Sequence, residues 1–161
     1  MAGFRIDDKR NKVSDIKKNI ETKKGELEQL ENHKQELLDA GTDMQGSEID
    51  EDVQATLMEL INGALEDNAE KGRELSNEMN SDLDSLEDMK QETQESVKSN
   101  ESQRKSLESK KALLDKFGIG GKLEGAISEL DTNMGQLEDL NDSLIETEKE
   151  LSDVSAKLGM L

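Results

Sequence analysis

The stretch KLEGAISELDTNMGQLEDLNDSLIETEKELSDVSAKL, residues 122–158, decides the fold. Within it Leu123, Leu130, Leu137, Leu144, Leu151 and Leu158 recur every seventh residue without exception. On a helix of about 3.6 residues per turn, that series forms one nearly continuous apolar stripe. Most other positions are Asp, Glu, Asn, Ser or Thr, so the stripe is narrow. A narrow leucine stripe in a polar background is the seam of a coiled coil.

Just upstream lies Phe117-Gly118-Ile119-Gly120-Gly121, where three glycines in five residues make helix continuation costly and permit positive φ. A chain reversal there lets Phe117 and Ile119 fold inward and plug the end of a hairpin. Before it runs a long helical pattern, with Met58, Leu65, Gly72, Met79, Leu86, Thr93, Asn100, Leu107 and Leu114 in one heptad frame. Ile61, Leu75, Leu83 and Val97 flank that frame, with a one-residue slip between Leu75 and Leu83 that reads as a stutter. Unbroken from 48 to 116, the helix would be ~100 Å long at ~1.5 Å per residue. Its weak section is Lys90 to Ser106, where Val97 is the only large apolar residue, so a bend near Ser99-Asn100 stays open.

The first helix covers about residues 5–40, with Ile6, Val13, Ile20 and Leu27 on one heptad position and Ile16, Leu30 and Leu37 on another. Lys9, Lys23 and Lys34 interrupt this seam, and their stems can cover apolar surface while the ammonium reaches water. Gly41 supplies a C-terminal cap, and Ser47-Glu48-Ile49-Asp50 resembles a capping box for the next helix. Antiparallel folding at the second turn makes facing residues sum to about 237, bringing Leu123 to Leu114, Leu130 to Leu107 and Leu151 to Leu86. Asn100 and Thr93 then face Leu137 and Leu144 as polar layers that fix register. A sum near 88 at the first turn brings Leu30 to Met58 and Val13 to Leu75. The expected fold is all-α, with elongated antiparallel hairpins around one long central helix in a single domain; the last helix spans about 122–159.

Composition agrees with this reading. With 31% hydrophobic and 37% charged residues, two Phe and no Trp or Tyr, the chain cannot fill a wide globular core. An acidic polar chain can also be disordered, but a disordered chain does not place Leu every seventh residue. Zero Pro likewise suits long helices. The net charge of −18 argues against nucleic acid as a partner, since phosphate binding needs clustered Lys and Arg. By segment the charge is 0 for 1–40, −13 for 41–89, +3 for 90–122 and −8 for 123–161, the alternation that neighbouring antiparallel helices favour. No apolar run is long enough for a membrane span, and residues 1–10 lack the apolar core of a cleavable leader. The expected location is the cytoplasm, or the exterior by a route that needs no signal peptide.

No catalytic, cofactor or metal constellation is visible. There is no Cys, and His33 is the only histidine, which excludes thiolate sites and His-based di-iron or zinc sites. Asp39, Asp43 and Glu48 suggest a calcium loop, but Met44 stands where such a loop needs Gly. The glycines before residue 122 follow no strand and precede no Lys-Ser/Thr pair, so they form no P-loop. Gly120 and Gly121 also separate the leucine series from any basic region, which excludes a basic zipper.

Antiparallel amphipathic helices joined at a glycine turn, without cysteine or leader, resemble the WXG100-like and LXG-type helical proteins of bacterial type VII secretion. The turn Phe117-Gly118-Ile119-Gly120-Gly121 sits where such proteins carry Trp-x-Gly between two helices. The chain departs from that pattern in having no Trp, and no Tyr for the usual C-terminal export signal; Phe4 and Asp8 have the signal's spacing at the opposite end. The resemblance implies side-by-side binding of helical proteins to an effector's helical targeting region. The function expected is therefore a non-catalytic helix-pairing module, such as an effector targeting region or its helical partner. The seam would be Leu123, Leu130, Leu137, Leu144, Leu151 and Leu158 with Leu86, Leu107 and Leu114; the turn would be Phe117, Gly118, Gly120 and Gly121. The partner would be another helical protein or a second copy. A structural spacer and an acidic inhibitor that mimics nucleic acid remain alternatives.

Overall fold

A computed structural model describes residues 5–161; Phe4, and with it the Phe4–Asp8 spacing, lies outside them. The chain forms α1 (Ile6–Gln45), α2 (Glu51–Glu78), α3 (Asn80–Asp115), a 3-10 turn (Gly120–Leu123) and α4 (Glu124–Gly159). The all-α hairpin architecture is as expected. Packing gathers the helices into two compact units. The first unit holds the segment ending at Asp15 together with Asp84–Glu148, and the second holds Ile16–Leu83 with Lys149–Leu161.

In the second unit α1 and α2 form an antiparallel hairpin whose turn differs from the expected one. Gly41 does not cap α1, which continues to Gln45. Gly41 is buried inside the helix, and a Cβ there would sit 3.9 Å from the Met58 sulfur. The capping box does not form either: Asp50 takes the N-cap position without a side-chain cap, and Ser47 donates its hydroxyl to the Met44 carbonyl at 2.8 Å. With the reversal moved towards 48–50, the register changes. Asn68 donates to the Leu30 carbonyl at 2.9 Å, Asn19 donates to Asp82 at 3.4 Å, and Lys23 pairs with Glu78. Facing residues therefore sum to about 98–101 rather than 88. A sum near 88 also matches apolar residues, but it sets Lys23 at the level of Leu65. The observed register gives that ammonium a carboxylate instead.

The long middle helix is interrupted at Met79, not near Ser99-Asn100, and α3 runs unbroken through the weak section. Met79 donates its amide to the Ser76 carbonyl at 3.2 Å, a tightened turn, and the Leu83 amide returns to the ordinary spacing by bonding the Met79 carbonyl at 3.0 Å. The tightening falls inside the stutter between Leu75 and Leu83. Met79 itself is buried, so one local turn of altered pitch keeps its side chain in the core. The end of α4 packs on this hairpin. Ser155 and Ser76 share a hydroxyl hydrogen bond of 2.8 Å, Lys24 pairs with Glu150, and Lys34 donates to the Leu161 carbonyl at 3.4 Å.

In the first unit α3 and α4 pair antiparallel across the glycine turn. Gly118 takes φ 74°, the only positive φ among the described residues. The Ile119 amide bonds the Leu114 carbonyl at 3.1 Å and the Gly118 amide bonds the Asp115 carbonyl at 3.1 Å. This crossed pair satisfies the last carbonyls of α3, as a Schellman ending does. Gly120 is buried, and a Cβ there would overlap the Asp115 carboxylate and the Lys111 carbonyl. Phe117 and Ile119 do not fold inward; they are 74% and 48% exposed. The glycine-led reversal closes through its own backbone hydrogen bonds and does not need their side chains. Arg104–Asp131 at 2.8 Å, Lys111–Glu124 at 3.8 Å and Lys90–Glu148 at 3.5 Å set facing sums of about 235–238. This matches the register read from the leucines.

Candidate helix-pairing surface

The seam begins with side-chain period. In α4 the leucine positions are not equally covered: Leu137, Leu144, Leu151 and Leu158 are buried, while Leu123 and Leu130 are half-buried. Leu86 of α3 is buried, and Leu107 and Leu114 are half-buried. Coverage thus decreases towards the glycine turn, where α3 and α4 have only each other. Of the turn residues only Gly120 is buried; Phe117, Gly118 and Gly121 are exposed.

The leucine series omitted half of the α4 seam. Leu140, Thr147 and Val154 are also buried, each three residues after a seam leucine. Their signal was present in the sequence as the second position of every heptad, obscured where that position is Ala126, Asn133 or Thr147. Thr147 is fully covered because its hydroxyl bonds the Ser143 carbonyl of its own helix at 2.6 Å, leaving its methyl to pack. Thr93 does the same to the Met89 carbonyl at 2.7 Å. Asn100 is only 5% exposed and its amide nitrogen has no hydrogen-bond partner. It is the one polar residue of the α3 seam whose burial carries a penalty.

On α1, Val13, Ile16, Ile20 and Leu27 are buried. The lysines that interrupt their seam each reach an acceptor on a facing helix. Lys9 meets Glu92 at 2.5 Å, Lys23 meets Glu78, and Lys34 meets the Leu161 carbonyl at 3.4 Å. Hydrogen bonding to Lys23, with its charge, lowers the Glu78 pKa below the ordinary carboxylate value. Hydrogen bonds from Lys24 to Glu150 and then to Glu21 raise the Lys24 pKa. Water screens such exposed pairs, so their main effect is on alignment.

Large apolar residues are left uncovered in both units. In the first unit these include Leu113 at 56% exposure and Phe117; in the second they include Leu38, Val53 and Leu60 at 44%, 48% and 64%. Shallow grooves accompany them. One of about 470 Å³ is bordered by Glu108, Lys111, Glu124 and Asp131, and one of about 380 Å³ by Lys34, Leu38, Met160 and Leu161. Among the described residues no group of three or more His, Cys, Asp or Glu could hold a metal ion, and no helix is long and apolar enough to cross a membrane. Compared with family models, curated proteins and solved structures, the chain matches none.

Proposed function

We propose that this chain is a non-catalytic module that binds by laying its helices against those of another protein. The observation that carries the reading is the set of large aliphatics left uncovered in each unit, Leu113 in one and Leu38, Val53 and Leu60 in the other. Two helices bury too little between them for comfortable stability, so the missing cover favours further helices. Heptad seams already organise every pairing within the units, which supports a partner of the same construction. The resemblance to WXG100-like and LXG-type proteins supports one in particular, the helical targeting region of a secretion effector. Sedimentation of the purified protein over a wide concentration range tests the proposal, alone and after co-expression with such a region. Self-association or a stable mixed complex is expected. A monomer at every concentration, indifferent to the helical region, would overturn it.

A further inference from the structure

Val53 and Leu60, the uncovered aliphatics of α2, share one face, and the chain around them has an unusual charge pattern. On α2, Met58 and Asn68 look towards α1, as the Gly41–Met58 approach and the Asn68–Leu30 hydrogen bond show. A second stripe, Val53, Leu57, Leu60 and Ala64, lies beside the first; at about 100° per residue its members fall within about 60° of one another. A helix with one neighbour needs a single stripe, and a helix with two needs this pair. Half of this second stripe is nevertheless open: Val53 is 48% and Leu60 64% exposed, while Leu57 and Ala64 are half-buried. The α4 end meets α2 at Gly72 and Ser76, about 12 Å further along the helix axis than Ala64.

Between Gln35 and Glu70 the sequence holds eleven carboxylates and no Lys or Arg. Asp52 and Glu59 each sit one residue before a stripe residue, Val53 and Leu60, and Glu66 continues their heptad spacing, where coiled coils place the charges that select a partner. Glu66 pairs with Arg73 at 2.8 Å, whereas Asp52 and Glu59 form no ion pair among the described residues. A second copy of this hairpin would bring the same eleven carboxylates against them, and like charges across an interface are repelled.

Resting on the pairing function proposed above, we infer that the Val53–Leu57–Leu60 face of α2 docks a cationic amphipathic helix of a partner protein. Its apolar residues at heptad spacing cover Val53, Leu57 and Leu60. Its flanking Lys or Arg meet Asp52 and Glu59. Apolar burial supplies the affinity, and the charges supply orientation and the exclusion of acidic helices.

The probe is a synthetic helix of about four heptads with Leu at both seam positions and Lys on the flanks, compared with a twin carrying Glu on the flanks. The full chain should bind the Lys peptide one to one and ignore the Glu twin. Val53→Ser with Leu60→Ser leaves every charge in place and should weaken the Lys peptide at least about tenfold. Asp52→Lys with Glu59→Lys should weaken it about tenfold and admit the Glu twin. Because the chain has no other thiol, a nitroxide on Leu60→Cys reports the location independently, and the Lys peptide should immobilise it.

Three results would overturn the inference. One is unchanged binding to the Val53→Ser/Leu60→Ser protein, the mark of adsorption to overall charge. Another is a nitroxide that stays mobile. The third is a wild-type dimer that those two serines abolish, which would make a second copy the occupant. If a helical partner still binds at some other surface, the pairing function stands and only this face is lost.

Discussion

Gly63 and Gly72 lie on the same helix, yet alanine should act on them with opposite signs. Nothing lies within 4 Å of where a Cβ on Gly63 would stand, so Gly63→Ala should stabilise by the ordinary helix preference, about 0.5–1 kcal/mol. A Cβ on Gly72 would overlap the Leu158 carbonyl and the Leu161 side chain. The carbonyl belongs to a helix backbone that cannot turn aside, so Gly72→Ala should cost about 1–3 kcal/mol in urea unfolding. That Gly72 belongs to a seam was legible from its heptad position; that it admits the backbone of α4 was not, because glycine has no side chain to announce a contact. At the same scale, Glu78 gives a pH signature. Its folded pKa is lowered, so its contribution is present above the ordinary carboxylate pKa and is lost as pH falls through the lowered value. Glu78→Gln should therefore lower the urea midpoint at neutral pH and leave it unchanged in strong acid. Lys24 has the opposite sign: its raised pKa makes its contribution full below the ordinary lysine pKa and lost as pH climbs through the raised value.

Between elements the question is register, and the two turns teach different lessons. The α3–α4 alignment was legible because a glycine-led reversal leaves almost no freedom in where the chain turns. At the α1–α2 turn, Gly41 and Gly46 offered a choice, and apolar residues match nearly as well two heptads away. Lys23 could have decided it, since a sum near 88 sets it at Leu65 and a sum of 101 sets it at Glu78. Likewise the middle-helix irregularity was marked by the stutter at Leu75–Leu83, whereas low apolar content around Asn100 marked nothing. Packing from facing helices holds a polar stretch in a helix as firmly as an apolar one. Asn100 does carry a cost. Asn100→Leu removes a buried amide nitrogen without a partner and should raise stability by about 1–2 kcal/mol. Leu137→Ala, at the facing level, should cost about 2–5 kcal/mol. Both are read from urea midpoints at constant slope, and a loss of stability in Asn100→Leu would mean that the amide serves the packing.

For the molecule as a whole, charge is the quantity that composition fixes and folding cannot remove. Exposed ion pairs weaken in salt, but 39 acidic side chains against 21 basic ones leave a large unmatched excess. Raising NaCl from about 10 mM to about 500 mM should therefore raise the thermal midpoint by several degrees; a fall would show that the cross-helix pairs outweigh self-repulsion. The all-α class was legible because period and composition agreed, while the uncovered ends were not, because exposure depends on where each neighbouring helix stops. The lysines set into the α1 seam have a kinetic consequence. A hairpin that closes one heptad short would put Lys23 opposite Lys71, and one that closes a heptad long would leave Lys23 opposite Ser85. Mispaired chains therefore forfeit their bridges and, in one direction, repel. Such alignments should reopen, so refolding followed by far-UV circular dichroism should fit a single exponential.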